Sequence, residues 1–101
     1  MKKQIDPVLI RVWRGNDSDV FALFPTIPAD CDGRLCTSYQ AIGRHSGADY
    51  QHCISKSRPA TKAEAASLLA ELRTIGYNPR VQRRATLAMH RARQEALRSI
   101  A

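Results

Sequence analysis

Two apolar runs on either side of a cluster of turn-forming residues constrain this fold more than any other sequence feature. Residues 8–14 (VLIRVWR) and 20–24 (VFALF) are rich in the β-branched and aromatic side chains that are typical of strands. The intervening GNDSD at 15–19 favours a turn, so we expect a β-hairpin with a loop longer than two residues. Because proline cannot donate to a β-ladder, we expect Pro25 and Pro28 to end the second strand.

The stretch after the hairpin shows weaker regularity. We predict a loop over 25–34 and a third strand over 35–42 (LCTSYQAI). Gly43 to Gly47 then interrupts this strand, and residues 48–54 form either a short strand or irregular structure.

One helix carries signals at both of its ends. Thr61 and Glu64 form the T-x-x-E pattern of a capping box, in which two side chains satisfy the first free amides of the helix. Gly76 then stands where a helix typically ends, and Pro79 lies just beyond it. Apolar residues recur at helical spacing between these ends, at Ala65, Leu68, Leu69, Leu72 and Ile75. We predict a helix at about 62–75 and a short strand at 79–83, whose initial proline indicates either an edge strand or a position at the entry to a strand.

The last segment, from about 85 to 100, is rich in alanine and prone to form a helix. Arg84, Arg91 and Arg98 recur every seven residues and line one face of it. Another face carries Ala85, Ala88, Met89, Ala92, Ala96 and Ile100. Because alanine buries little apolar area, three outcomes are open for this helix: it docks weakly on its own domain, it pairs with a second copy, or it becomes ordered only on a partner. If it packs on its own domain, we expect Ala88, Met89 and Ala92 to be buried.

These elements predict an α+β fold. A small, mainly antiparallel sheet, made of the hairpin and one or two further strands, packs on the capped helix and is followed by a basic C-terminal helix. A length of 101 residues suits one domain. We assign residues 1–84 to a compact domain, and residues 85–101 to a basic helix that is part of this domain or appended to it.

The net charge of +7 belongs entirely to the second half of the chain. Residues 1–54 carry six basic and six acidic side chains, whereas residues 55–101 carry ten basic and three acidic ones. Arginine dominates this excess, and its planar guanidinium group suits phosphate and carboxylate partners. We therefore predict phosphate contacts from the C-terminal arginines and from a second patch at the start of the capped helix. The predicted set is Arg80, Arg83, Arg84, Arg91, Arg93 and Arg98, together with Lys56, Arg58 and Lys62.

The segment SYQAIGRHSGADYQHC at 38–53 crowds histidine, tyrosine and aspartate side chains around two glycines. Its candidate functional residues are Tyr39, His45, Asp49, Tyr50 and His52. In a catalytic interpretation, His45 or His52 exchanges a proton, Asp49 orients the histidine and a tyrosine acts as a donor. In a structural interpretation, which we favour, Asp49 caps a turn and the two tyrosines cover the sheet.

The sequence favours a binding module over an enzyme. It has no G-x-S-x-G elbow, Walker loop or H-E-x-x-H motif, so we predict no catalytic residues and no cofactor. Cys31 and Cys36 lie at the loose end of zinc-ligand spacing, but His45, His52 and Cys53 do not complete a zinc finger, and we predict no metal. Three cysteines, no apolar run of membrane length and no secretion signal predict a cytoplasmic protein without a membrane partner.

Three short patterns are similar to those of a known group of proteins. They are FALFPTIP at 21–28, the pair Ser38-Tyr39, and a G-x-H-x-G-A-D-Y pattern at 43–50. Over about residues 8–83 the chain resembles a family of short bacterial proteins encoded on plasmids and other mobile elements. That family has no settled biochemical activity. The resemblance implies a bacterial cytoplasmic setting and one compact domain, with the basic tail outside the shared core.

Two classes of partner remain open from the sequence. The arginine-rich half favours a module that associates with nucleic acid, without distinguishing DNA from RNA. The alternative is an adaptor or inhibitor, encoded on a mobile element, that binds a host or mobile-element protein through the sheet face around Trp13 and Phe21. Trp13 is partly exposed if its strand is covered on one face, and buried if both faces are covered. A dimer through the C-terminal helix also remains open.

Overall fold

The computed structural model describes residues 5–15, 19–30, 34–40 and 44–98. The elements in chain order are β1 (Asp6–Trp13), β2 (Val20–Pro28), β3 (Cys36–Gln40), β4 (Arg44–Ala48), α1 (Tyr50–Ser55), β5 (Ser57–Pro59), α2 (Lys62–Ile75), β6 (Pro79–Val81) and α3 (Leu87–Arg98). This is the predicted α+β class, with a mainly antiparallel sheet. No helix within the described ranges is both long enough and apolar enough to span a membrane.

Among the described residues, six strands form one sheet, in the order β4-β3-β2-β1-β5, and β6 also pairs with β1. The predicted hairpin of β1 and β2 is confirmed, with Leu9 opposite Leu23, although turn residues 16–18 lie outside the described ranges. Since β2 occupies one edge of β1, the short strands β5 and β6 share the other edge. β5 lies antiparallel beside Arg11–Trp13, and β6 lies parallel beside Asp6–Val8.

The sheet is covered on both faces. Because successive strand residues point to opposite faces, neighbours such as Val8 and Leu9 enter different cores. One core joins Val8, Ile10, Ala22, Phe24 and Tyr39 to Ala65, Leu68 and Leu72 of α2. The other joins Leu9, Phe21, Leu23 and Cys36 to Tyr50 and Cys53 of α1.

The helix α2 begins and ends within the predicted range. The Thr61 hydroxyl accepts a hydrogen bond from the Glu64 amide at 3.2 Å, and the Glu64 carboxylate accepts one from the Thr61 amide at 2.9 Å. Gly76 follows the last turn with a φ of 124°, a conformation that favours glycine, and its amide bonds back to the carbonyls of Leu72 and Arg73.

Pro28 is the last residue of β2, as expected, but the prediction that Pro25 ends the strand is wrong. The strand continues through Pro25 to Pro28. Phe24 pairs with Thr37 and Pro28 pairs with Cys36, so residues 25–27 bulge out of the register. A bulge tolerates proline because it does not require a ladder hydrogen bond there.

The third strand ends before Gly43, as expected, but the predicted interruption at 43–47 is itself mostly a strand. Residues 44–48 form β4, which pairs antiparallel with β3 and places His45 opposite Tyr39. The described part of the third strand is shorter than expected, and residues 41–43 lie outside the described ranges. The expectation of a short strand or irregular structure over 48–54 is wrong, because Tyr50–Ser55 form the short helix α1. Asp49 starts this helix by accepting a hydrogen bond from the His52 amide.

The C-terminal helix packs against β2 with a different face from the one expected. Ala88 and Ala92 are exposed and Met89 is half-buried, so the predicted buried positions are largely wrong. Arg93 is buried instead, and His90 and Leu97 are half-buried at helical spacing from it. The helix is rotated because the long arginine side chain, unlike alanine, reaches a polar group inside the domain. Ile100 lies outside the described ranges.

Candidate nucleic-acid interface

Four of the predicted basic residues present exposed guanidinium groups. Arg80 lies in β6, Arg83 and Arg84 in the connection to α3, and Arg91 in α3 itself. Within the described ranges, no hydrogen bond or ion pair engages these four guanidinium groups. Arg98 ends α3, and its side chain lies outside the described part of the chain. The four groups are therefore available to an anionic partner.

Two hydrogen bonds fix the backbone that carries Arg83 and Arg84. The Gln82 amide donates to the carbonyl of Val8 at 2.8 Å, which attaches the end of β6 to the sheet. The Ala85 amide donates to the Tyr50 hydroxyl at 2.8 Å, which attaches the start of the tail to α1. Both arginines lie between these two anchor points, so their backbone positions are set by the fold.

Arg93 belongs to the fold rather than to the exposed surface. It is only 5% exposed, and its Nη1 donates to the Pro25 carbonyl at 2.8 Å. That carbonyl lies in the bulge of β2. The same Nη1 lies 2.8 Å from Nδ1 of His90. Because a guanidinium group only donates, Nδ1 accepts and the His90 ring is neutral. Burial and the nearby Arg93 lower the pKa of His90. We therefore remove Arg93 from the predicted interface.

The second predicted patch is only partly available. Arg58 is held by Glu64 in a two-point ion pair with N–O distances of 2.9 and 2.8 Å. Hydrogen bonds from Arg58 and from Thr61 lower the pKa of Glu64 to about 2. Lys56 and Lys62 are exposed. Since β5 and β6 share one edge of β1, the topology places Arg58 and Arg80 along the same edge of the sheet.

The histidines and tyrosines of the segment 38–53 do not converge on one site. Tyr39 and His45 lie on the face covered by α2, where the Tyr39 hydroxyl bonds to Glu71. His45 Nε2 lies 3.0 Å from the Tyr77 hydroxyl.

The other three predicted residues lie on the opposite face, around α1. Asp49 caps α1, Tyr50 is buried and accepts from Ala85, and His52 is exposed. The arrangement agrees with the structural interpretation, in which Asp49 caps a turn and the tyrosines cover the sheet. It does not provide the shared pocket that the catalytic interpretation requires.

The described cysteines are buried thiols. Cys36 and Cys53 are both free and lie in the core beneath α1. Burial raises the pKa of Cys36 to about 11. Among the described residues, no group of three histidine, cysteine or acidic side chains is placed to hold a metal ion, and Cys31 lies outside that set.

Trp13 borders a cleft that the sequence did not predict. Both faces of the sheet are covered, but Trp13, the last residue of β1, is half-buried, so the expectation that covering both faces buries it is wrong. Its ring stacks on Phe21, with centroids 4.4 Å apart and planes inclined by 20°. Phe21 itself is 2% exposed, so Trp13 presents most of the aromatic surface at this end of the sheet. The cleft measures about 270 Å³ and is also lined by Ser38, Gln40, Ser46, Asp49 and His52. Recognising the β3–β4 hairpin would have shown that residues 38, 40 and 46 share one face.

Comparisons of the chain with protein-family models, curated proteins and solved structures find no match. The resemblance to a mobile-element family remains a prediction, and the functional proposal rests on the chemistry of the exposed residues.

Proposed function

We propose that the chain is a small, non-enzymatic module of the bacterial cytoplasm that contacts nucleic acid through arginines of its C-terminal half. One observation carries this proposal. Residues 79–94 contain five arginines and no carboxylate, and four of the five are exposed. Arginine donates to phosphate oxygens in a fixed planar geometry, and phosphate contacts position a protein on nucleic acid without reading its sequence.

The proposal predicts a defined dependence on salt. Each phosphate contact that releases a counterion contributes about 0.9 to the slope of log affinity against log salt concentration on duplex DNA. Contacts from Arg80, Arg83, Arg84 and Arg91 therefore predict a slope of roughly −3.6. Exposed Lys56 and Lys62 would make the slope steeper if the ligand also spans the edge formed by β5.

Fluorescence anisotropy with labelled duplex DNA, duplex RNA and single strands, measured over a series of salt concentrations, tests this function. The informative variant is R83Q/R84Q, and the matched control is R34Q/R73Q, which removes the same charge from two exposed arginines outside the proposed interface. We expect the first pair to reduce the slope on duplex DNA by about 1.8 and the control pair to change it much less. Equal effects of the two pairs would indicate diffuse attraction to net charge, and no binding at low salt to any ligand would refute the proposal.

A protein partner is the second candidate, favoured by the half-buried Trp13 at the edge of its cleft. The buried position of Phe21 restricts the expected contact surface to Trp13 and the cleft. A pull-down from bacterial lysate, repeated after nuclease treatment, separates the two functions. A partner that survives nuclease and is lost when Trp13 is replaced by leucine would support the adaptor.

A further inference from the structure

The cleft beside Trp13 has the size of a site for one small planar group. Trp13, Phe21, Ser38 and Gln40 line it from the sheet, and Asp49 and His52 line it from the α1 region. Its volume of about 270 Å³ is slightly below the usual range for drug-sized ligands. The cleft is too small for a double helix and large enough for a single heterocycle.

The aromatic side of the cleft is held in position by the fold. Stacking on buried Phe21 fixes the orientation of the Trp13 ring. Every nucleobase has a flat face, and stacking on an aromatic side chain is a common way for proteins to bind unpaired bases. A ring that is held in position loses little conformational freedom when the ligand binds.

Polar groups of the cleft suit the edge of a base. The Gln40 amide offers both a donor and an acceptor, and it makes no side-chain hydrogen bond to another residue in the described ranges. The Ser38 hydroxyl donates to the Ser46 carbonyl at 3.1 Å and lies 2.9 Å from the Ser46 hydroxyl, so this pair adds acceptor lone pairs to the cleft. Asp49 is exposed and acidic, so it repels a phosphate group from the cleft but accepts a hydrogen bond from a neutral base.

Cations flank the strand end that carries Trp13. Arg14 follows it directly, and the Arg14 amide donates to the Lys56 carbonyl at 3.0 Å, so these two residues are neighbours. Both are exposed. Phosphates on either side of an inserted base would find positive charge here, while the base itself enters the less charged cleft.

We propose that this cleft receives one unpaired nucleobase, so that the protein binds single-stranded nucleic acid in preference to duplex. This inference rests on the proposed function, because the arginines between β6 and α3 would hold the rest of the strand. A base stacked within a duplex cannot enter the cleft, whereas a base of a single strand is free to turn into it.

Trp13 is the single tryptophan of the chain, so its fluorescence reports on the cleft directly. The full-length protein is titrated with short single-stranded DNA and RNA of mixed sequence, and with the matching duplexes. We expect single strands to quench the Trp13 emission to saturation and to bind more tightly than duplex. We expect duplex to bind without this quenching.

A blocking variant tests the same point without removing a core residue. Ser46 is exposed on β4 and lines the cleft, so S46F fills it, and S67F makes the same change on an exposed position of α2. We expect S46F to weaken single-strand binding by roughly 5- to 150-fold, the range given by loss of one base–aromatic stack, and to leave duplex binding unchanged. S67F is expected to bind both ligands like the unaltered chain.

The outcomes separate this inference from the function on which it rests. If single strands bind without quenching and S46F behaves like S67F, the cleft is not a base site, while duplex binding through the arginines still stands. If neither duplex nor single strands bind at low salt, the proposed function fails, and the base site fails with it.

Discussion

Replacing Arg93 with alanine is expected to loosen α3 from the sheet, whereas the same change at Arg91 is not. Arg93 is 5% exposed and donates to the Pro25 carbonyl at 2.8 Å. Arg91 lies two residues earlier in the same helix and is exposed. The two substitutions remove the same charge and have the same effect on helix propensity, so any difference between them measures the buried contact.

The structure sets the size of this effect. A hydrogen bond from a charged donor contributes about 1.5–3 kcal/mol, and a buried carbonyl left without a donor costs about 1–3 kcal/mol. These two figures describe largely the same loss of free energy, so they are not added. Loss of the buried aliphatic stem of Arg93 adds to this cost. We therefore expect R93A to lower the free energy of unfolding by about 2–4 kcal/mol, and R91A by less than about 0.5 kcal/mol. In a domain of this size, the larger change lowers Tm by at least about 8 °C.

Urea unfolding, followed by Trp13 fluorescence and by far-UV circular dichroism, measures the difference. R93M, which keeps an apolar stem but cannot donate, is expected to fall between R93A and the unaltered chain. In the nucleic-acid assay, R91A is expected to weaken binding and R93M is not. If R93A and R91A differ by less than about 0.5 kcal/mol, Arg93 does not anchor α3, and its predicted role as a phosphate ligand becomes tenable again.

Three further predictions follow from the packing of the tail and the core. Ending the chain after Arg84 removes α3, the Arg93 donor to Pro25 and the Ala85 donor to Tyr50. We expect the shortened protein to unfold at a lower urea concentration than R93A, as measured by circular dichroism. Because the folded-state pKa of His90 lies below its ordinary value of 6.5, the unfolded chain binds more protons as the pH falls below 6.5. We therefore expect the stability to decrease over that interval until the folded-state pKa is passed, and the decrease to be smaller in H90Q, as measured by urea unfolding at each pH. Cys36 is buried, and burial raises its pKa to about 11. We therefore expect a thiol reagent to label Cys36 of the folded protein only as fast as the protein opens, and to label it at once in urea. Rapid labelling of Cys36 in the native chain would contradict its position in the core.

The elements that could be predicted from the sequence are those whose signals are local. The helix α2 has its cap at Thr61 and Glu64 and its end at Gly76, and all of these signals lie within the helix or directly beside it. The β1–β2 hairpin likewise combines two apolar runs with the turn between them. In both cases, hydrogen bonding and burial favour the same local conformation, so neighbouring residues were sufficient.

The missed elements depend on partners that are distant in sequence or too short to show a period. Strand β4 is exposed at His45 and Ser46, so it lacks the apolar alternation of a half-buried strand and exists through its pairing with β3. The six residues of α1 do not complete two turns, and β5 has only three residues. The cleft at Trp13 required both β4 and α1, so it could not be predicted while these remained unassigned.

The phase of α3 shows how a polar contact overrides an apolar pattern. A helical wheel assigns the buried face to alanines, yet Ala88 and Ala92 are exposed and Arg93 is buried. The decisive partner of Arg93 is a carbonyl in the bulge of β2, 68 residues away in the chain. Alanine burial contributes little, so the charge-assisted hydrogen bonding of buried Arg93 outweighs it in setting the rotation of the helix.

The positive charge of the second half therefore divides into two groups with different physical consequences. Arg58 and Arg93 are engaged with the chain itself, and they stabilise the edge of the sheet and the docked helix. Arg83 and Arg84 are exposed on a backbone held at Gln82 and at Ala85. A disordered basic tail would lose conformational entropy when it binds, whereas arginines on a fixed connection keep most of their backbone order in both states. Binding is therefore expected to depend on where a charge lies as well as on how many charges remain, which is the difference that R83Q/R84Q and R34Q/R73Q measure.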